Sequence, residues 1–238
     1  MRNSGWMKNR STEGEKMDDL NLSGPLLHQT LDGLSVINRF LGNTNATFKQ
    51  VKSAIRKTEG PLKIIDLGCG GGDNLRAIAT WCQQNNQPVQ LVGIDGNAHI
   101  LDYARSKNNS AIFIEYQQAD ILDPNFQIPS CDLLISSHFI YHFSDEALTS
   151  FLKFNKKNIS SKIIFSELRR SKLAYYLFKF GNIFLPFSKM VKEDGLKAIQ
   201  RSFTQQELKK ILTAADLGDF IIRRKWAFRW EIEIVLHH

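Results

Sequence analysis

From Leu62 onward the chain alternates short apolar runs with stretches of helical period. The runs predict strands near 63–67, 90–94, 112–117, 132–136 and 161–166, and the intervening stretches predict helices near 73–84, 97–107 and 145–157. Such an order implies βαβ units and a mostly parallel, doubly wound α/β sheet. Upstream, Leu27, Leu31, Leu34, Ile37 and Leu41 share one helical face. Ser23 is placed to cap that helix, Pro25 fits its first turn and Gly42 its end. A second, shorter helix is expected over 48–57, with Phe48, Val51 and Ile55 inward, before Gly60-Pro61 breaks the chain. Residues 1–20 are polar and mixed in charge and are expected to form a flexible arm. The division predicted is therefore an arm and helical cap over 1–60 and a core over 61–238.

Near the C-terminus, Thr204-Gln205-Gln206-Glu207 is a capping box. It opens a helix carrying Leu208, Ile211, Leu212 and Ala215, with Gly218 expected to close it. In the tail Trp226, Phe228, Trp230, Ile232 and Ile234 alternate with Arg229, Glu231 and Glu233, which predicts an antiparallel pair with one apolar and one polar face. One segment stands apart. Residues 173–187 are mostly aliphatic and aromatic, flanked by Lys172, Lys189 and Lys192, within a 170–200 insertion. An amphipathic core helix, a lid over a lipophilic substrate and a membrane-surface helix all fit that pattern.

Composition narrows the class without naming it. The 238 residues are 42% hydrophobic and 23% charged, which excludes disorder throughout and suits one α/β domain with a small cap. A formal net charge of +7 favours an anionic partner or surface. Cys69, Cys82 and Cys131 lie far apart without a CxxC pair, so neither a disulfide framework nor a zinc site is expected. A reducing, cytoplasmic setting follows, and the polar N-terminus shows no signal peptide.

The densest chemical signal is Ile64-Ile65-Asp66-Leu67-Gly68-Cys69-Gly70-Gly71-Gly72-Asp73. An apolar strand runs into a glycine turn and then a helix, at the sheet edge where doubly wound folds bind ligands. A dinucleotide fingerprint would place glycine at position 73. An aspartate there would repel a pyrophosphate, and Asp66 in the same crevice suits a cationic ligand group instead. The second strand ends at Asp95-Gly96-Asn97, where an acid commonly receives ribose hydroxyls or caps the next helix.

These residues, with Gln118-Ala119-Asp120-Ile121, Cys131-Asp132-Leu133-Leu134-Ile135-Ser136-Ser137 and Ser202-Phe203-Thr204, resemble the class I S-adenosylmethionine-dependent methyltransferases over roughly 62–238. The resemblance implies a seven-stranded sheet with a reversed last strand. It also implies S-adenosylmethionine as cofactor, S-adenosylhomocysteine as product, and no metal. Gly68, Cys69, Gly70 and Gly72 would approach the methionine part, and Asp66 would hold its amino group. Asp95, with Gly96 and Asn97, would bind the ribose, Asp120 and Ile121 the adenine, and Ser136 would line the passage to the methyl group. A looser likeness of Met17-Asp18-Asp19, Ile37-Asn38-Arg39 and Leu41-Gly42 points to a bacterial subgroup linked to phenolic, quinol or polyketide-type products.

Methyl transfer asks the protein for position, desolvation and sometimes a base. A phenol ionises near ~10, so transfer to its oxygen at neutral pH gains from one. His138, Tyr141 and His142 follow the fourth strand, and the base is open between His142 and His138, with packing roles for both as the alternative. His142 matches the second histidine of a family His-His pattern, and Tyr141 replaces the first. Glu167, Arg169 and Arg170 follow the fifth strand; Glu167 and Arg169, with Arg39, are candidates to orient an acidic or hydroxylated acceptor. Ser136-Ser137-His138-Phe139 lacks the Asn/Asp-Pro-Pro-aromatic signature of nucleobase methyltransferases, which weighs against nucleic acid. The expected activity is methylation of a small, fairly apolar acceptor, first at a phenol-like oxygen. Rivals are C-methylation of a quinol ring, an RNA methyltransferase, a noncatalytic cofactor-binding accessory protein and a nicotinamide oxidoreductase. Peripheral membrane contact stays open, and nothing in the sequence specifies an oligomeric state.

Overall fold

The computed structural model describes residues 6–56, 60–184 and 187–236. Expectations resting on residues 1–5, Lys57, Pro186, His237 and His238 lie outside the described residues. Two helices, α1 (Pro25–Phe40) and α2 (Asn43–Ile55), precede an alternating core. That core runs β1 (Leu62–Leu67), α3 (Asp73–Gln84), β2 (Val89–Asp95), α4 (Ala98–Lys107), β3 (Ile114–Gln118), β4 (Cys131–Ser137), α5 (Asp145–Asn155) and β5 (Ile159–Leu168). Then come α6 (Lys172–Phe184), α7 (Lys189–Arg201), α8 (Gln205–Ala214), β6 (Asp219–Lys225) and β7 (Arg229–Val235).

The seven strands form one sheet in the order β3-β2-β1-β4-β5-β7-β6. The first five are parallel, and β7 enters antiparallel between β5 and β6. Alternation in each buried strand feeds two cores. Ile65, Leu67, Val92, Ile94 and Leu134 face α5 and α8, while Ile64, Leu91, Leu133 and Ile135 face α2 and α3. No described helix is long and apolar enough to cross a membrane.

Several local expectations need correction. The α1 N-cap is Gly24 at φ 80°, without a side-chain cap, rather than Ser23. Helix α2 begins five residues before Phe48, because its polar first turns reach the strand ends. Asn43 Oδ1 accepts from Ser166 Oγ at 2.6 Å, and Thr47 Oγ1 lies 3.2 Å from Ser137 Oγ. The α8 helix keeps its capping box but ends at Ala214, with Ala215 as its C-cap, before Gly218. Trp226 and Phe228 leave the strand pattern for the β6–β7 turn, where Phe228 has φ 55°. The polar face of β7 is covered: Arg229 and Glu231 are buried, because β7 is an inner strand lying beneath the helical cap.

The expected flexible arm is, over residues 6–22, a strap docked across the sheet's carboxyl edge. Arg10 donates to Asp145 Oδ1 (2.6 Å), Tyr141 O (2.5 Å), Phe143 O (2.8 Å) and Arg201 O (2.7 Å). Its guanidinium also lies over the Phe203 ring. Arg170 reaches back to Met7 O and Lys8 O, and Asp194 accepts from the backbone of Lys16 and Met17. Charge-assisted hydrogen bonds of this kind contribute about 1.5–3 kcal/mol each when buried. Arg10→Ala is therefore expected to lower unfolding stability by about 2 kcal/mol and to speed amide exchange over residues 6–22, read by urea titration and hydrogen-exchange mass spectrometry. Unchanged exchange in the strap would contradict its anchoring through Arg10.

Candidate functional site

The carboxyl ends of β1, β2, β4 and β5 open into a cavity of about 1080 Å³. Its floor is the glycine turn, with Asp95, Asp120, Ile121 and the 137–142 turn. Helices α1, α6 and α7 roof it, and the strap residues Glu15, Met17, Asp18 and Leu20 close one side.

The glycine turn is shaped by its surroundings. Gly68 has φ 63°, and a Cβ there would fall inside the Phe139 ring. Gly72, at φ 77°, caps α3 and would collide with the Tyr116 hydroxyl. Asp95 Oδ2 accepts from Gly70 N (3.0 Å) and Oδ1 from Asn97 N (3.1 Å). Burial raises the Asp95 carboxyl against those backbone donors. Asp66 is buried beneath the turn with no hydrogen bond on either oxygen. Burial pushes it up to about 8, over an opposing pull from the nearby Asn74 side chain. Asp66 does not itself line the cavity; Asp73 and Asp95 do, and an acid-lined turn is a fit for a ligand bearing cationic groups.

Across the cavity, His142 Nδ1 lies 3.0 Å from Asp18 Oδ1. Its ring stacks on Tyr141 at 4.4 Å between centroids. Burial raises the Asp18 carboxyl, but the hydrogen bond and charge of His142, with Arg201, outweigh it and hold the group well below the usual range. An Nδ1–carboxylate pair fixes the ring's orientation and leaves Nε2 for a proton. Asp18 comes from the strap, 124 residues before its partner; no local signal marks that pairing. Glu15, Asp18 and His142 place one ligand atom each within 4.8 Å of one another. Arg201 already donates to Glu15 (3.0 Å) and Asp18 (2.8 Å), occupying the place of a cation there.

Other candidates fall differently. His138, at φ 54°, borders the cavity with Nε2 unpaired, and burial followed by the Arg229 charge pushes its imidazole down to about 3. Tyr141 donates to Glu15 Oε2 (3.2 Å) and, buried, has its phenol raised well above the usual range, so it anchors the strap. Glu167 is not at the cavity: Oε1 accepts from Phe139 N (2.9 Å) and Ile140 N (3.0 Å). Ser136 donates to Leu67 O (2.8 Å), and its neighbour Ser137 faces the cavity instead. Asn97 caps α4 and binds the strap at Asp19 O and Leu22 O. Gly96 meets Leu20. Exposed Asp120 stands beside buried Ile121, both on the cavity wall with Cys69. Arg169 borders the cavity near the Phe228 and Trp230 rings, whereas Arg39 lies in a separate groove against Phe48 and Arg76. The apolar 173–187 segment supplies Ala174, Leu177, Phe178, Gly181 and Phe187 to the cavity wall.

Residues 64–157 match the family of methyltransferase domains. No curated protein matches the sequence significantly. Among solved structures, human N-acetylserotonin methyltransferase, crystallised with S-adenosylmethionine, aligns at TM-score 0.61 and 16% identity. That alignment covers 89% of this chain and 56% of the human one, so the chain spans little more than half of that relative's length. The plantazolicin methyltransferase BpumL, with S-adenosylhomocysteine, aligns at TM-score 0.63 and 16% identity, covering 90% and 95%. Magnesium protoporphyrin IX methyltransferase from Synechocystis PCC 6803 aligns at 0.51 and 16%, covering 97% and 91%. Residues 64–157 thus resemble a methyltransferase domain, and the chain has the class I methyltransferase fold, reversed last strand included.

Glu167 offers a check on the site's electrostatics. Burial pushes its carboxyl up to about 8 from 4.5, despite two backbone donors. The folded state then holds a proton that the unfolded chain releases above 4.5, so its contribution to stability falls as pH rises from 4.5 towards 8. Glu167→Gln keeps an acceptor and has no proton to lose. Relative to wild type it should gain more than about 1 kcal/mol between pH 5 and 8 in urea titrations. An unchanged difference would mean that Glu167 is ionised at both pH values.

Proposed function

We propose that the protein transfers the methyl group of S-adenosylmethionine to a small, fairly apolar acceptor, at a phenol-like oxygen. The observation that carries this reading is a single cavity with two unlike ends. One end is the glycine turn with Asp95 and Asp120, and the other is an apolar chamber entered by the His142–Asp18 pair. Its volume, about 1080 Å³, exceeds the ~300–1,000 Å³ of a typical single-ligand site, leaving room for cofactor and acceptor together. The cofactor supplies an electrophilic methyl on a sulfonium. The carboxylates at the glycine turn suit its amino group, ribose and positive charge. Similar structures hold S-adenosylmethionine in one case and S-adenosylhomocysteine in others, in keeping with that choice.

Asp95 retains lone pairs beyond its two backbone donors and would accept the ribose hydroxyls. Asp120 and Ile121 would flank the adenine. His142 Nε2 would take the acceptor's hydroxyl proton as the oxygen attacks, with Asp18 stabilising the imidazolium. His138 is the second candidate, since burial and the Arg229 charge oppose its protonation. C-methylation of a quinol ring would need the same orientation with proton loss from carbon, and remains the second reading.

Two variants separate the roles. Asp95→Ala should weaken S-adenosylmethionine binding by at least about ten-fold in calorimetric titration, with no NADH binding to wild type. His142→Ala should lower methylation of a phenol panel by about 10²–10⁴-fold while leaving cofactor affinity intact. Turnover unchanged in His142→Ala would remove it as the base; NADH binding without S-adenosylmethionine binding would overturn the reading.

A further inference from the structure

The cavity's β5–β7 end carries positive charge that no described carboxylate balances. Arg229 is 3% exposed and borders the cavity. Its Nη1 donates to Leu41 O at 2.7 Å, and its Nε donates to nothing. Among the described residues no carboxylate forms an ion pair with it. Glu231, two positions along β7, is taken by Arg223 and Lys225. Arg169, against Phe228, also borders this end without an ion-pair partner among the described residues. His138, close enough to feel Arg229, presents a second unpaired buried nitrogen. An arginine buried without a counter-ion is costly, and its cost falls when an anion arrives.

We propose that this end of the cavity is an anion-binding subsite, and that the acceptor carries a negatively charged oxygen on an apolar body, held against Arg229 with Arg169 and His138 beside it. This rests on the reading of the cavity as a methyl-transfer site and adds the acceptor's charge class. Asp95, which has backbone donors but no ion-pair partner among the described residues, lies at the glycine turn, where a cationic cofactor would lie; the unbalanced cations lie at the β5–β7 end. Substrate and cofactor would thus be sorted by charge before any shape discrimination. A carboxylate remote from the reacting atom and an ionised phenol at it share this chemistry.

The test uses the full chain and three aromatic probes of similar body: naphthoate, its methyl ester and naphthol, titrated with and without S-adenosylhomocysteine. An anionic probe, naphthoate or ionised naphthol, should bind at least about ten-fold more tightly than the ester, and Arg229→Gln should abolish that preference while S-adenosylmethionine affinity is kept. Arg229→Lys should restore part of it, and serves if the Gln variant fails to fold. A carboxylate source gives naphthoate binding that is flat with pH around neutrality. A phenolate source gives naphthol binding that tightens as pH approaches its own ionisation, with naphthoate weak. Equal affinity for ester and both anions, or a preference that survives Arg229→Gln, would overturn the subsite. Cofactor binding without an anion preference defeats this inference alone; an anion preference without cofactor binding defeats the methyl-transfer reading and leaves the subsite standing.

Discussion

At the centre of the molecule's carboxyl edge sits a carboxyl group that never reaches the cavity. Glu167, at the end of β5, accepts the backbone N–H groups of Phe139 and Ile140 and so fixes the turn that follows β4. That turn sets Phe139 against Gly68, where no side chain could fit, and so shapes the glycine loop from outside. The same turn presents His138, Tyr141 and His142. Tyr141 then receives the strap through Glu15, and His142 through Asp18. One buried acceptor on an inner strand thereby sets the relation between the glycine turn and the histidines. Backbone donors at the end of a parallel strand must find partners, and here their partner comes from the neighbouring strand.

The strap illustrates why burial of charge need not mean a stable ornament. Arg201 binds Glu15 and Asp18, Arg10 binds Asp145 and three carbonyls, and Arg170 binds Glu207 together with the strap's backbone. Replacing one member strands its partner, which costs more than the pair contributes over an apolar substitute. Such a cluster specifies one seating of the strap rather than adding much net stability. The specificity matters because Asp18 delivers the carboxylate that orients His142. Burial pushes Glu15 up to about 7, against His142 and Arg201, so this seating is sensitive to proton uptake near neutrality.

Much of the core was legible because its signals are local. Strand β1, the glycine turn, α3 and the Thr204 capping box each declare themselves within a dozen residues, and the structure follows them within two or three positions. What escaped the sequence depends on partners far along the chain. Residues 10–18 read as a flexible arm because they are polar; they are held by Arg201, His142 and a backbone carbonyl more than 100 positions away. The first turns of α2 read as loop for the same reason, although Asn43 and Thr47 are buried against strand ends. Ser136 and Ser137 exchanged roles through strand parity: neighbouring positions face opposite sides, so an error of one residue moves a side chain across the sheet.

Arg229 was the costliest misreading, and its cause is instructive. Alternation on the tail suggested a solvated polar face, which is correct for an edge strand and wrong for β7, inserted between β5 and β6 under the cap. Glu231 and Glu233 on that face are satisfied by Arg223, Lys225 and Lys162 from the flanking strands. Those three cations use up both acids and leave none for Arg229. A face patterned with both signs therefore ends, at the cavity, with a surplus of one. The glycine turn shows the reverse, since Asp95 has backbone donors but no ion-pair partner among the described residues. Folding alone would favour cancelling both surpluses within the chain. Their persistence around one cavity is what a site would need to hold a cationic cofactor and an anionic acceptor together.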